Sequence, residues 1–233
     1  MDDPFPPTMM PGIRSFFRDV HPHLPQGQAV YPEVFHHHAF YPLQRMREAR
    51  RMIEIAQTIQ PRTVMEIGTD KGGGLYHWCQ VPTVTHVIGC EVRGTPYAAE
   101  FEAGFPDRKF LWLPQSSYEA RTVSLVRAWL GARKIDCLFI DGEKTQFMRD
   151  FDTYRPLMAP GGIVFLHDIT ESPMRDVFLE LAKAHRHEEI VNIDESKAAV
   201  ERARLKLPID SPYEGWLRHW HGRSCGVGVI YLG

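Results

Sequence analysis

The residues with the chemistry to form a site recur at the ends of apolar runs. They are Glu66-Ile-Gly-Thr-Asp-Lys-Gly-Gly after one run, Glu91 after a second, Gln115-Ser116 after a third, Asp141-Gly-Glu-Lys after a fourth and His167-Asp168 after a fifth. Carboxylates, amides and hydroxyls so placed accept and donate hydrogen bonds, and a lysine or an acid among them can move a proton. The glycine turn discriminates between ligands. It lacks the Lys-Ser or Lys-Thr pair that follows the glycines of a GxxxxGK[ST] phosphate loop. It also lacks G-x-G-x-x-G, because Asp70 stands where a second glycine would let the backbone approach a pyrophosphate. A carboxylate there repels phosphate and suits a cationic ligand. Glu91 lies 19 residues beyond Gly72, the position from which an acid accepts hydrogen bonds from ribose hydroxyls. Gln115 and Ser116 are polar side chains able to meet the edge of a base. Together these positions predict a site for a nucleoside without phosphates.

The elements that must position them alternate. Residues 43–59 carry Leu43, Met46, Ala49, Ile53, Ala56 and Ile59 at helical spacing, and Pro61 stops that helix. Strands are expected in RTVMEIG, VTHVIGCEV, KFLWLP, IDCLFIDG and IVFLHDI, with helices between them. IDCLFIDG is as apolar as a central parallel strand should be. SYEARTVSLVRAWLGA has a serine available as its helix cap. TQFMRDFDTYRPLM places Phe147, Phe151, Tyr154 and Met158 along one side, and APGG ends it. EEIVNI and CGVGVIYL supply two last strands with no strong helix between them, hence an antiparallel pair. The expected fold is α/β, a Rossmann-like three-layer sandwich around a seven-stranded, mainly parallel sheet whose last strand is antiparallel. Ligands of such sheets bind at the carboxyl ends of the strands, near the switch in strand order.

The set VMEIGTDKGG, GCEV, LPQSS, IDCLFIDGEK and LMAPGGIVFLHDI resembles the class I S-adenosylmethionine-dependent methyltransferases. It is most similar to the small-molecule O-methyltransferase-like branch, which also takes in sequences described as cephalosporin hydroxylase-like. The resemblance spans about residues 60–170, with GVGVIYL matching the last strand of the family. It implies S-adenosyl-L-methionine as cofactor and a small-molecule acceptor, methylated on a hydroxyl oxygen. Position by position, it implies that Glu66, Gly68, Thr69, Gly72 and Gly73 line the methionine end. Glu91 would hold the ribose, Gln115 and Ser116 would contact adenine, and Asp141 would lie near the sulfonium. Asp141 and Asp168 correspond to acids that hold a divalent metal, Mg²⁺, in some members. Two departures bear on mechanism. Glu143-Lys144 replaces the Asp-His that often follows FIDG, which offers Lys144 as the general base. Ile169 stands where metal-dependent members have an amide or acid. The alternatives are a hydroxylase-like enzyme on the same scaffold and an adenosyl-ligand-binding protein without turnover.

The 233 residues suffice for one α/β domain, expected over residues 43–233 with an insertion at about 194–222. Residues 1–42, rich in proline and aromatics, read as a lid or arm. There His36, His37 and His38 are better suited to a structural or lid role than to a metal, because adjacent histidines point different ways. Trp216, Trp220 and His221 are candidates for an acceptor pocket. A formal net charge of −2 gives no signal for nucleic acid or membrane, and no apolar run approaches a membrane span. Cys79, Cys90, Cys137 and Cys225 are far apart, with no CxxC pair, and read as reduced core thiols. With no signal-peptide pattern at residues 1–12, a cytoplasmic protein is expected. The oligomeric state is unreadable, and a homodimer is compatible with the sequence.

Overall fold

The computed structural model describes residues 46–191 and 225–233. The expected lid, His36–His38, the insertion at about 194–222 and Trp216, Trp220 and His221 lie outside the described residues. In chain order the elements are α1 (Met46–Gln57), β1 (Thr63–Ile67), α2 (Gly73–Cys79), β2 (His86–Cys90), α3 (Ala98–Gly104), β3 (Lys109–Leu113) and α4 (Ala120–Leu130). β4 (Ile135–Ile140), α5 (Phe147–Tyr154), β5 (Met158–His167), α6 (Met174–Ala182), β6 (Arg186–Ile190) and β7 (Val227–Tyr231) follow.

The sheet runs β3-β2-β1-β4-β5-β7-β6. The first five strands in that order pair in parallel, and β7 is antiparallel to both its neighbours, β5 and β6. Side chains alternate faces along each strand, so each strand feeds two cores. On one face Val64, Val87, Phe139 and Phe165 pack with Met52, Trp78 and Phe101 of α1, α2 and α3. On the other, Met65, Ile88, Leu138 and Val164 pack with Val126, Phe147 and Phe178 of α4, α5 and α6. Burying both faces explains the largely apolar reading of β1 and β4. Each fully buried Leu or Phe contributes roughly 1.5–3 kcal/mol over its exposed state.

Two local expectations are corrected. The run from Ala159 to Gly162 does not separate a helix from a strand; it is the first part of β5. The register against β4 shifts there, from Ile135 opposite Met158 to Cys137 opposite Ile163. No serine caps α4. Its N-cap residue is Glu119, with no side-chain cap, and the hydroxyl of Ser117 is committed elsewhere, as described below. The four cysteines are buried and form no disulfide. Among the described residues, no helix is long and apolar enough to cross a membrane.

The chain leaves β1 toward β2 on one side and returns to β4 on the other. That switch opens a crevice at the carboxyl ends of β1 and β4, where the site is found.

Candidate functional site

A cavity of about 660 Å³ opens along these strand ends. Gly68 ends β1 with φ +85°, and any side chain there would drive into the backbone of Asp141 and Gly142. Glycine is therefore required for β1 and β4 to lie this close as they leave the sheet. Asp70 adopts φ +43°, the left-handed conformation that a glycine would otherwise supply and that Asp tolerates.

On the wall formed by β2 and β3, Glu91 is 8% exposed. The amide of Asp70 donates to its Oε2 at 3.1 Å, and the amide of Arg93 to its Oε1 at 3.2 Å. The guanidinium of Arg93 closes a bridge, donating to Asp70 Oδ1 at 3.0 Å. The repulsion that Asp70 offers a phosphate is thus partly neutralised by a neighbour that the turn itself does not reveal. Gln115 lines the same wall, and its buried Nε2 has no hydrogen-bond partner among the described residues.

Behind this wall, the apolar stripe of α5 contains one acid. Asp150 is 1% exposed, and the Ser117 hydroxyl donates to its Oδ1 at 2.5 Å. The Tyr154 hydroxyl donates to the Ser117 carbonyl. Burial pushes the Asp150 carboxyl up to about 6, against the Ser117 hydrogen bond and the Arg149 charge. Sequence reasoning missed this group, although its signal was present: Phe147, Asp150, Phe151 and Tyr154 occupy one helical face, and a lone acid on such a face must find a partner.

The opposite wall carries a charged cluster. The Lys144 ammonium donates to Asp141 Oδ1 at 2.7 Å and lies 2.5 Å from Asp168 Oδ2. His167 Nδ1 lies 3.0 Å from Asp141 Oδ1 and 3.5 Å from Asp168 Oδ1. With carboxylate oxygens on that side, Nδ1 carries the proton. Asp168 holds φ +60°, so a left-handed residue turns its carboxylate back toward Lys144. Burial alone would raise the Asp141 carboxyl, but the charges and hydrogen bonds of His167 and Lys144 outweigh it and hold it at about 2. Burial opposes the Lys144 ammonium, yet Asp141 and Asp168 raise its pKa above the ordinary lysine value. A lysine acting as base needs the opposite shift. His167 is raised as well: burial opposes its charge, and Asp141 and Asp168 prevail. His167 was legible as a polar strand end but carried no assigned role.

The structure thus brings Gly68, Glu91, Gln115, Ser116, Asp141, Lys144 and Asp168 to one cavity. Glu66, Thr69, Gly72 and Gly73 are not among its lining residues. Glu66 is 2% exposed, sits beneath Gly74 and accepts a hydrogen bond from Trp78 Nε1 at 3.0 Å. Burial, and next the charge of Asp141, push its carboxyl well above the usual range, against the Trp78 hydrogen bond. The Thr69 hydroxyl pairs with that of Thr95. Gly72 and Gly73 form the start of α2.

Mg²⁺ requires near-octahedral oxygen ligation. Here the space between Asp141 and Asp168 is taken by the Lys144 ammonium, and the other nearby donors are nitrogen and sulfur. His167, Asp168 and Cys225 bring one donor atom each within 4.8 Å of one another. As arranged, these residues do not fit Mg²⁺.

Residues 65–169 match the model of a family described as a methyltransferase domain. No curated protein matches the chain. Among solved structures, the O-methyltransferase TomG from Streptomyces achromogenes, involved in tomaymycin synthesis and solved with SAM, is 15% identical. It aligns over 94% of this chain and 89% of its own with a TM-score of 0.52. An O-methyltransferase from Bacillus cereus, solved with SAH, is 14% identical over 97% of this chain and 91% of its own, also with a TM-score of 0.52. At such identities the likeness is one of fold.

Proposed function

We propose that this chain, which carries a methyltransferase domain over residues 65–169, transfers a methyl group from S-adenosylmethionine to a hydroxyl oxygen of a small molecule. The observation that carries this reading is the pairing of two walls in one cavity. Glu91 and Gln115 lie on one wall, and the Asp141–Lys144–Asp168 cluster on the other. When bound, S-adenosylmethionine supplies a methyl carbon already activated by a positive sulfur.

The residues present suit that ligand. Glu91 has both oxygens fixed by backbone amides and retains lone pairs for ribose hydroxyls. The Gln115 amide is a buried donor still in need of an acceptor, which a base edge provides. The carboxylates of Asp141 and Asp168 favour a cationic sulfonium nearby. Gly68 lets the ligand approach the backbone at the β1–β4 crevice.

Alignment of nucleophile and methyl carbon supplies most of the rate in such a displacement. The hydroxyl must also lose its proton. In our reading Lys144 serves as an ammonium that donates to the acceptor oxygen and stabilises its developing negative charge. Asp168, which lines the cavity beside it, accepts the proton. Asp141 and His167 orient the pair.

The test is incubation with S-adenosylmethionine labelled in the methyl group and a panel of phenols, catechols and hydroxy acids. Labelled ether product is expected for at least one of them. Tight adenosyl binding with no labelled product across the panel would overturn the transfer reading, and a product that gains an oxygen atom from O₂ in the presence of a reductant would favour the hydroxylase-like alternative.

A further inference from the structure

We propose that Lys144 is a resident cation. Its ammonium occupies the place between Asp141 and Asp168 where a divalent ion would otherwise bind, so the site works without metal and admits one only when this side chain is shortened. The part that concerns turnover rests on the methyl-transfer reading; the part that concerns metal binding does not.

The geometry is that of a built cation site. Lys144 belongs to a short 3-10 turn, Lys144–Gln146, directly after β4, which places its Nζ three residues from Asp141. Two carboxylates from different strand ends face that nitrogen, at 2.7 and 2.5 Å. The Phe147 ring lies beneath it, 5.3 Å from nitrogen to centroid. An ordinary surface lysine would keep its ammonium in water, whereas this one is drawn back into the cavity wall. A divalent ion entering between the carboxylates would stand beside the ammonium and be repelled by it. The ammonium has three donors, and two are used. Among the described residues the third has no acceptor, and it can serve a single acceptor oxygen, whereas a divalent ion with open positions holds two.

Shortening the side chain would leave Asp141, Asp168 and the His167 imidazole around a vacated position. Carboxylates and imidazole are donors that Mn²⁺ accepts. The experiment is titration of Mn²⁺ into the full chain, reading the electron paramagnetic resonance signal of the free ion, with circular dichroism to check folding. Lys144→Ala should hold one equivalent at least about tenfold more tightly than wild type. Lys144→Met, which keeps an apolar stem over Phe147, should do the same, and adding Asp168→Asn to either should abolish the gain. Wild type that binds Mn²⁺ as tightly as the lysine variants overturns the proposal. So does a folded Lys144→Met chain that binds no better than wild type. Failure of S-adenosylhomocysteine to bind would sink the transfer reading and leave this titration to be judged alone.

Discussion

The Nζ of Lys144 lies 2.5 Å from Oδ2 of Asp168, joining the turn after β4 to the end of β5 across the cavity wall. Twenty-four residues separate them in the chain, and with Asp141 as a second partner the contact favours the ammonium form that the proposed mechanism uses. Lys144→Ala should therefore lower kcat by about 100-fold, the scale seen when a preorganised charge-stabilising donor is removed. The affinity for S-adenosylhomocysteine should stay within about threefold, measured by calorimetry on the same samples.

The proposed ribose contact of Glu91 makes a second prediction. Its oxygens are held by the amides of Asp70 and Arg93. Glu91→Gln removes the charge and introduces a donor facing those amides. The dissociation constant for S-adenosylhomocysteine should rise about 10- to 100-fold, the range for losing a hydrogen bond to a charged group. Thermal stability should change little by comparison.

Glu66 predicts the opposite pattern. It lies beneath α2 with Trp78 as donor, and burial shifts it toward the neutral acid. Glu66→Gln is close to isosteric with the neutral acid and retains an acceptor for Trp78. Stability should fall by less than about 1 kcal/mol and S-adenosylhomocysteine binding should hold. A tenfold loss of binding without unfolding would mean that Glu66 reaches the ligand after all.

Asp150 gives a pH signature. Its folded pKa of about 6 exceeds the ordinary value of 3.8. Below pH 4 the acid is protonated in both states and costs nothing. Between pH 4 and 6 the unfolded chain releases the proton first, so stability falls as pH rises, and the loss is complete above pH 6. The full effect is on the order of 2–3 kcal/mol. Asp150→Asn, which keeps an acceptor for Ser117, should match wild type near pH 4 and be more stable by about that amount at pH 7, in urea unfolding.

How much of this was legible follows from where each signal resides. The central strands are mostly apolar because helices cover both faces, so β1, β4 and the later part of β5 could be read directly. The candidate positions follow each strand, and Gly68, Glu91, Gln115, Asp141 and Asp168, named on that ground, line one cavity. Glu66 does not line the cavity because it lies inside β1, one pleat before the end, beneath α2. The charge state of Lys144 depends on a residue from the next strand, and no local pattern carries that information. Ser117 looked like a cap until Asp150, 33 residues on, claimed its hydroxyl. The glycines in β5 read as a break because glycine usually weakens strands, whereas here they accompany a register shift against β4.

The central claim is that this cavity binds an adenosyl ligand without phosphates. Titration calorimetry of the full chain with S-adenosylhomocysteine and, separately, with NAD tests it most directly. The account predicts saturable, one-to-one binding of S-adenosylhomocysteine that weakens in Glu91→Gln, and no binding of NAD. Saturable binding of NAD with none of S-adenosylhomocysteine would contradict it.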